Sequence, residues 1–386
     1  MNFKSQKELK YMVQSTRDTG QNPLDVSLDN SITRYVEIVF KHFRKVGFPH
    51  FTLTTSEKNR VIEHLKKIKI NTLWNSKMIT KNNYGYDLCN SYHHHMQSVR
   101  SHMTEKKLCN SPMDTFLDDT KLKMAIRKCI VYDNKLHEKS LRSGLKFYGN
   151  CVKRVSNFRQ TAAKAIYQTF LPNDGGKVYD PSMGYGGRIL GAMSSEKVLH
   201  YTGTDPCQLT MTGLKQFTED FSSFKDKTTL IQDGSENSDK YIKKNSIDLV
   251  FTSPPYFNCE VYSDEETQSW KQFSTKEMWM QGFMKKTMEN CKSFIKKDGY
   301  IIINIANVKT YPNIEEDFVK MATKDVGLNL VDNLKLELAN IAIVNSGGKN
   351  TEVKSEPIFV FQKKGHTHWA KKHFTKQVID LSSFIN

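Results

Sequence analysis

The sequence lacks any apolar segment long enough to cross a membrane, since no window approaches about 18 uncharged apolar residues. It also lacks the apolar core of a secretory signal, because its first residues, MNFKSQKELKYMVQ, are polar. Its 7 cysteines are scattered and form no Cys-x-x-Cys pair. We therefore expect a cytoplasmic protein with reduced thiols and no membrane partner.

Positive charge is concentrated in the first part of the chain. The 386 residues include 57 Lys and Arg against 41 Asp and Glu, a net charge of +16, and 38% are hydrophobic. This length predicts two domains, or one large domain with an appendage. Residues 1–150 hold 26 basic and 14 acidic residues, so most of the excess lies there. The excess favours a nucleic-acid partner, although a basic surface that serves only solubility fits it equally well.

Local patterns divide the chain into three regions. Residues 1–150 are predicted to be a basic, mostly helical region, and Thr54 and Glu57 fit the capping box of one helix. Residues 151–365 alternate short apolar runs with longer amphipathic stretches, which predicts an α/β domain with a mainly parallel sheet. Residues 366–386 form a basic tail. Within the first region, the stretch 119–132 is expected to present basic side chains outward: Lys121, Lys123, Arg127 and Lys128.

A glycine turn follows the first predicted strand of the α/β domain. Residues 177–192 read KVYDPSMGYGGRILGA, and a helix is expected from Arg188. Glycines let the backbone approach a ligand closely, and a helix N-terminus offers unpaired N–H groups. The dinucleotide fingerprint requires Gly or Ala at position 189, where this chain has Ile189, so a nicotinamide or flavin site is disfavoured. For Arg188, a ligand phosphate or carboxylate and the nearby Asp180 are equally plausible partners.

A carboxylate follows each of the next two predicted strands. Asp205 ends the strand VLHYTGTDP, where an acidic side chain is placed to accept hydrogen bonds from ribose hydroxyls. Asp233 follows the third strand, where it could meet an adenine amino group. An ordinary strand–helix turn with acidic surface residues is the alternative. The glycine turn and both carboxylates, in this order, make that alternative less plausible.

A rigid polar turn follows the strand predicted over residues 247–251. The turn is Ser253-Pro254-Pro255-Tyr256, and its two prolines fix φ and remove two N–H donors. The side-chain oxygen of Ser253 and the carbonyl of Pro254 can accept both hydrogens of an exocyclic amine. Tyr256 offers an aromatic face to a base taken out of the stack. In isolation this motif would be read as a strand-terminating turn, but after the glycine turn and the two carboxylates it favours catalysis.

These motifs resemble the S-adenosylmethionine-dependent methyltransferases that modify exocyclic amino groups of DNA. DPSMGYGG resembles their methionine-side cofactor motif, and Ser253–Tyr256 resembles their catalytic (D/N/S)PP(Y/F) tetrapeptide. SNFRQTAAKAIYQTF, over residues 156–170, resembles the helical segment that closes over the cofactor. The resemblance spans roughly residues 155–365. It implies a Rossmann-like class I methyltransferase sheet with helices on both faces.

The resemblance also implies the ligands and the site. The cofactor would be S-adenosylmethionine, and the partner would be duplex DNA with a flipped target base, in a bacterial or phage-infected host cell. The residues implied to be catalytic are Ser253, Pro254, Pro255 and Tyr256. Those implied to hold the cofactor are Phe158, Arg159, Thr161, Asp180, Ser182, Gly184, Gly186, Asp205 and Asp233.

Ser253 at the first position of the tetrapeptide favours cytosine N4 over adenine N6 as the target. Three alternatives remain: an RNA amino methyltransferase, a non-catalytic nucleic-acid-binding protein with a degenerate pocket, and a methyltransferase for a protein or a small molecule. Trp270 and Trp279 are interpreted as core anchors more than as base readers. No metal site is predicted, because the run His93–His95 and its neighbours match no standard ligand spacing.

Overall fold

The computed structural model describes residues 2–148, 152, 155–338, 354–366 and 368–374. Most of the glycine-rich segment 345–355, and the end of the basic tail from residue 375, lie outside the described residues. No helix within the described ranges combines the length and the apolarity needed to cross a membrane.

The helices follow the chain in this order: α1 (Gln6–Asp18), α2 (Ser31–Val46), α3 (Thr55–Lys67), α4 (Tyr86–Asn90), α5 (Pro112–Leu117), α6 (Asp119–Lys128), α7 (Glu138–Phe147), α8 (Gln160–Phe170), α9 (Gly187–Met193), α10 (Gln208–Asp220), α11 (Ser222–Lys225), α12 (Ser269–Gln272), α13 (Lys276–Met278), α14 (Lys285–Phe294) and α15 (Ile314–Lys320). The strands are β1 (Trp74–Asn75), β2 (Met78–Ile79), β3 (Arg100–Thr104), β4 (Lys107–Cys109), β5 (Gly176–Asp180), β6 (Val198–Thr204), β7 (Thr228–Ile231), β8 (Ile247–Thr252), β9 (Glu260–Val261), β10 (Ile295–Asn304), β11 (Leu328–Glu337) and β12 (Ser355–Lys363).

The chain forms two compact units, which divide it differently from the predicted boundary at residue 150. The first unit comprises residues 1–52, 94–156 and 260–262, and the second comprises residues 53–93, 157–259 and 263–386. The segment 53–93 is thus part of the α/β unit. This segment joins the α/β unit through strand pairing and hydrogen bonds between residues far apart in the sequence, which local patterns do not reveal.

Two contacts bind the segment 53–93 into the α/β unit. Strand β2 pairs in parallel with β11, with Met78 opposite Lys335 and Ile79 opposite Leu336. At the end of α3, the buried ammonium of Lys164 donates to the carbonyls of three residues at 2.6, 2.8 and 2.9 Å: Leu65, Lys66 and Ile68. These bonds supply a donor to carbonyls at the end of the helix, of which that of Leu65 also accepts from Ile68 N at 3.3 Å.

The α/β unit is built on a nine-stranded sheet of the described residues. The strand order is β1-β2-β11-β12-β10-β8-β5-β6-β7. The pairs β10–β8, β8–β5, β5–β6 and β6–β7 are parallel, whereas β12 is antiparallel to both β10 and β11. The predicted mainly parallel α/β sheet is confirmed.

Side chains of the central strands alternate between two apolar layers. In β8, Leu249 and Phe251 face one layer, whereas Val250 faces the other. Helices α8, α9 and α10 contribute to the first layer, and α14 and α15 contribute to the second. Burial on both faces explains why these strands read as continuous apolar runs. It also confirms the expected Rossmann-like sheet with helices on both faces.

The chain reverses its direction of travel across the sheet beside β5. From β5 it proceeds outward through β6 and β7, and it then returns to place β8 on the other side of β5. In open α/β sheets, ligands bind at the carboxyl ends of the strands on either side of such a reversal. The glycine turn after β5 and the Ser-Pro-Pro-Tyr turn after β8, both predicted to be functional, therefore lie next to each other.

The first unit has a helical core of its own and a small sheet. Apolar residues of α1, α2, α5, α6 and α7 pack together, and β4, β3 and β9 form a three-stranded antiparallel sheet. The mostly helical character predicted for this region holds for the residues of this unit. In the second unit, the predicted capping box of α3 is confirmed, since Thr54 Oγ1 accepts from Glu57 N and the Glu57 carboxylate accepts from Thr54 N.

Helix α6 does not present all its basic residues outward, as was expected. Arg127 is 2% exposed and donates to the carbonyls of Pro23 and Asp25 and to the Thr33 hydroxyl, at 2.7–3.0 Å. Lys121 and Lys123 pair with acidic neighbours at 2.9 and 2.6 Å. A periodic sequence pattern cannot reveal that distant carbonyls surround one of its charges. The expectation for Arg127 is therefore wrong.

Replacing Arg127 with methionine should lower the free energy of unfolding by about 2–3 kcal/mol, because one buried and two half-buried oxygens lose their donor. Lys121→Met, at an exposed ion pair, should change it by less than about 1 kcal/mol. Urea titration of both variants followed by circular dichroism measures the difference. Equal losses in the two variants would contradict a structural role for Arg127.

Candidate active site

The turn after β5 is open at the position where a ligand would approach it. Gly184 and Gly186 have φ values of +55° and +82°, in the left-handed region that favours glycine. A Cβ added to Gly184 would meet no atom of the described residues within 4 Å. At Gly187, by contrast, a Cβ would lie 1.8 Å from the carbonyl oxygen of Phe158. The turn is therefore closed by protein on one side and accessible on the other.

Asp180, at the end of β5, is fully buried and holds this turn together. Its carboxylate accepts from Arg188 Nε at 2.7 Å, from the Tyr201 hydroxyl at 2.6 Å and from Thr252 Oγ1 at 2.8 Å. Arg188 also donates to the carbonyl of Ser182. Two partners were considered for Arg188, a ligand anion and Asp180, and in the structure Arg188 pairs with Asp180. This geometry gives Asp180 a role inside the turn and not at the surface of a ligand.

Asp205 extends beyond β6 and reaches back to the glycine turn. Its carboxylate accepts from Gly184 N at 2.9 Å and from Cys207 N at 3.0 Å. Burial raises the pKa of Asp205 to about 6, and these two N–H groups oppose the rise. Each carboxylate oxygen retains capacity to accept a hydrogen bond. Asp205 therefore lies beside the open side of the turn, where the ribose hydroxyls were expected.

Asp233 follows β7, the next strand along this edge. Its carboxylate accepts from Asn237 Nδ2 at 2.9 Å, from the Tyr241 hydroxyl at 2.8 Å and from Gly234 N at 2.7 Å. Burial raises the pKa of Asp233, but these hydrogen bonds outweigh it and leave the pKa below its usual value. Asp233 thus occupies the expected strand end, with protein donors on both oxygens.

The rigid turn follows β8 directly and lies next to the turn after β5. The hydrogen bond between Thr252 and Asp180 joins the ends of the two strands. Pro254 is buried, while Ser253, Pro255 and Tyr256 are half-buried. The next residue, Phe257, has φ of +55°, a strained conformation for an aromatic residue. Its buried ring packs edge-on against Trp279 and Tyr311, which stabilises the turn from behind.

The hydroxyl of Tyr256 lies in a cluster of oxygens at this turn. It is 3.5 Å from Ser253 Oγ, 3.4 Å from both the carbonyl and the side-chain oxygen of Asn304, and 3.5 Å from Glu356 Oε2. Asn304 ends β10, and Glu356 is the second residue of the antiparallel strand β12. Because β12 runs against its neighbours, its first residues lie at the same edge as the carboxyl ends of the parallel strands.

The segment before α8 is joined to the glycine turn by a residue that was not predicted. Asn157 Oδ1 accepts from Gly187 N at 3.0 Å, and its Nδ2 donates to the Tyr185 carbonyl at 2.7 Å. Phe158 packs edge-on against Phe251, with the ring centroids 5.3 Å apart. The predicted approach of this segment to the turn is thus made mainly by Asn157 and by the backbone of Phe158.

Arg159 and Thr161 differ in whether their side-chain donors are fully engaged within the protein. Arg159 donates through Nη2 to the Glu337 carbonyl, whereas its buried Nη1 has no hydrogen-bond partner among the described residues. Thr161 is 1% exposed and donates to the Asn82 carbonyl at 2.7 Å. Arg159 is therefore available to an anionic ligand group, while Thr161 is engaged within the fold.

Three residues of the site were missed: Asn157, Asn304 and Glu356. Asn157 lies one position before the predicted Phe158, and its two bonds to the turn could not be inferred from spacing. Asn304 lies inside the predicted strand GYIIINIA and ends the observed strand β10, and a polar residue at the carboxyl end of a parallel strand was an available signal. Glu356 carries no such signal, because its position depends on β12 being antiparallel.

Three further features singled out in the sequence are Trp279, the candidate metal ligands and the cysteines. Trp279 is fully buried in the core, which confirms its interpretation as a core anchor. Among the described residues, no group of three or more His, Cys, Asp or Glu side chains is arranged to hold a metal ion. Cys109 is disulfide-bonded, so the expectation of reduced thiols throughout is wrong for this residue.

Comparison with known families identifies the second half of the site. The family described as DNA methylase matches residues 247–383. The match begins at β8, includes the turn Ser253–Tyr256 and Glu356, and does not extend to the glycine turn after β5. No curated protein sequence matches the chain significantly. Over this range the predicted resemblance to the amino DNA methylases is confirmed.

Several solved structures are similar to part of the chain. A TehB-like SAM-dependent methyltransferase from Corynebacterium glutamicum is 15% identical, with 54% of this chain and 90% of that chain covered and a TM-score of 0.34. TrmN from Thermus thermophilus is 12% identical, with 53% and 48% covered and a TM-score of 0.35. An rRNA methylase from Streptococcus thermophilus is 15% identical, with 52% and 93% covered and a TM-score of 0.32.

The family match and the sheet order describe different parts of the site. Residues 247–383 match the DNA methylase family, the sheet of the described residues is Rossmann-like, and S-adenosylmethionine is the cofactor that this family implies. The residues present fit this cofactor in three respects. A Cβ added to Gly184 would meet no described atom within 4 Å, which leaves space for a ligand. The carboxylate of Asp205 can accept hydrogen bonds from ligand hydroxyls, and the unpartnered Nη1 of Arg159 suits a ligand carboxylate.

Replacing Asp180 with asparagine should lower the free energy of unfolding by about 3–5 kcal/mol, because the buried charge of Arg188 loses its counterion. The exposed Asp226, changed to asparagine in the same way, should have little effect. Denaturant titration of both variants gives the comparison. A loss for Asp180→Asn as small as that for Asp226→Asn would show that the two turns do not depend on this carboxylate.

The raised pKa of Asp205 predicts a pH-dependent stability. Between pH 3.8 and about 6 the folded state holds a proton that the unfolded state has released. The free energy of unfolding contributed by this group therefore falls as the pH rises through that window. Asp205→Asn should remove the dependence, so the stability difference between variant and wild type should change with pH only there. A difference that stays constant with pH would contradict the raised pKa.

Proposed function

We propose that the protein transfers a methyl group from S-adenosylmethionine to an exocyclic amino group of a flipped base in duplex DNA. Cytosine N4 is favoured over adenine N6, because the tetrapeptide begins with Ser253. The observation that carries this proposal is the 2.8 Å hydrogen bond from Thr252 to Asp180, which joins the glycine turn to the Ser-Pro-Pro-Tyr turn. A cofactor on the first turn would thereby lie beside a base on the second.

The residues of the first turn would position the cofactor. Asp205 accepts hydrogen bonds from hydroxyls, Arg159 meets a carboxylate, and Gly184 leaves room for close approach of the ligand to the backbone. S-adenosylmethionine supplies an activated methyl group when bound. Phe158, Ser182, Gly186 and Asp233 line or support the same strand edge, whereas Asp180 and Thr161 act through the fold. Asp180 already accepts from Arg188, Tyr201 and Thr252, and the Thr161 hydroxyl already donates to the Asn82 carbonyl, which supports this division of roles.

The second turn would hold the target amine. Ser253 Oγ and the Pro254 carbonyl accept the two amino hydrogens, which turns the nitrogen lone pair toward the methyl group. The two prolines, Pro254 and Pro255, fix these acceptors, so the protein does not reorganise during the reaction. Tyr256 offers a ring face to the base. Holding nitrogen and methyl carbon in line supplies much of the rate.

The first unit would contact the DNA backbone. Its net positive charge favours phosphate binding by counterion release, and many of its lysines are exposed, among them Lys7, Lys10, Lys41 and Lys45. Arg127, which is buried, is not among these contacts. A nucleic-acid substrate suits a cytoplasmic location.

The direct test is to incubate the protein with methyl-labelled S-adenosylmethionine and unmodified duplex DNA, and then to analyse the nucleosides by mass spectrometry. We expect label in N4-methylcytosine, or in N6-methyladenine if the preference for cytosine is incorrect. Ser253→Ala should lower kcat by about 100-fold or more, because one fixed acceptor is lost. The control is Ser246→Ala, at a half-buried residue just before β8 that lies outside the turn.

Three results would contradict the proposal. Cofactor binding with label only in structured RNA would make the protein an RNA amino methyltransferase. Neither cofactor binding nor label in any nucleic acid would leave a non-catalytic nucleic-acid-binding protein. Label in a protein or small-molecule acceptor alone would also overturn the nucleic-acid substrate.

A further inference from the structure

Three side-chain oxygens lie in a row that leads away from the Ser-Pro-Pro-Tyr turn, and we call this row the file. Ser253 Oγ lies 3.5 Å from the Tyr256 hydroxyl, and that hydroxyl lies 3.5 Å from Glu356 Oε2. These separations are at the outer limit of a hydrogen bond. In ligand-free enzymes such contacts are often long and tighten when the substrate binds. The file connects the acceptor proposed for the target amine to a carboxylate.

The surroundings of Glu356 suit a group that receives a proton. Burial, the largest effect, and the negative charge of Glu315 raise the pKa of Glu356. Hydrogen bonds with Asn304 and Tyr256 and the positive charge of Arg159 lower it. These are the charged and titratable groups that face it: Arg159 before α8, Tyr256 after β8 and Glu315 of α15. The neighbouring positive charge favours the ionised form, and the partial burial makes that form a better base than an exposed carboxylate.

We propose that Glu356 takes up, through Tyr256, the proton that the target amine loses on methylation. The inference rests on the proposed function. The amine nitrogen forms a bond to the methyl carbon, while the bond from that carbon to the cofactor sulfur breaks and its electron pair stays on sulfur. The nitrogen then carries a proton in excess and a positive charge.

The proton leaves along the file without any further reactant. Ser253 Oγ accepts it and passes its own hydroxyl proton to Tyr256, which passes its hydroxyl proton to the Glu356 carboxylate. One N–H bond breaks, one O–H bond forms on Glu356, and both hydroxyls are restored. Glu356 loses the proton to solvent before the next cycle. The residue acts through Tyr256 and does not contact the base.

The kinetic test compares Glu356→Gln with wild type on methylated-product formation. We expect kcat to fall about 100-fold, with KM for S-adenosylmethionine unchanged. In wild type, kcat should decrease as the pH falls through the pKa of Glu356, and this acidic decrease should be absent in Glu356→Gln. The matched control is Glu337→Gln on the neighbouring strand, whose side chain accepts from Lys81 N and which should retain the wild-type kcat and pH profile.

A second readout does not require turnover. Infrared difference spectra between wild type and Glu356→Gln report the protonation of this carboxyl group as the pH changes. Because the hydrogen bond from Tyr256 lowers the pKa of Glu356, Tyr256→Phe should move the midpoint of its titration to higher pH. A midpoint that Tyr256→Phe leaves unchanged would overturn the file, whether or not the protein methylates DNA.

The outcomes separate this inference from the proposed function. Methylation by wild type with an unaltered kcat and pH profile in Glu356→Gln would contradict proton uptake by Glu356 alone. No methylation by wild type, with the Tyr256-dependent shift present in the infrared spectra, would contradict the amino-methyltransferase function and with it the proton transfer. The fall in kcat together with the infrared shift would support both.

Discussion

The buried carboxylate of Asp180 is the interaction on which the rest of the site depends. It lies at the end of β5 and accepts hydrogen bonds from three elements: Arg188 of α9, Tyr201 of β6 and Thr252 of β8. A buried charge is tolerated only when it is paired and hydrogen-bonded. Because Asp180 satisfies this condition with donors from both sides of the sheet reversal, it fixes the start of the glycine turn and the start of the Ser-Pro-Pro-Tyr turn together.

The chemistry of the site follows from this shared anchor. On one side, Gly184 and Asp205 leave an open, polar edge that fits the cofactor. On the other, a proline-rich turn holds its acceptors rigidly, backed by the strained Phe257 and its packed ring. Neither turn has a specific function alone. In the proposed function, their juxtaposition at the carboxyl ends of adjacent parallel strands would hold two bound molecules in line for transfer.

Much of this could be predicted from the sequence, because local patterns carry it. The parallel strands read as apolar runs, the capping box of Thr54 and Glu57 is a short-range signal, and the Ser253–Tyr256 turn follows its strand directly. What could not be predicted depends on distant partners. The segment 53–93 joins the α/β unit through β2 and Lys164, Arg127 is enclosed by carbonyls about a hundred residues away, and Glu356 reaches the site because β12 runs antiparallel.

We propose that one strand edge holds the cofactor and the target amine side by side. A crystal structure of the protein with S-adenosylhomocysteine and a short DNA duplex tests this arrangement. We expect ribose hydroxyls on Asp205, the sulfur beside the Gly184 turn, and an exocyclic amine of a flipped base against Ser253 and Pro254. A ligand bound away from the Gly184 turn, or a base that does not reach Ser253, would contradict it.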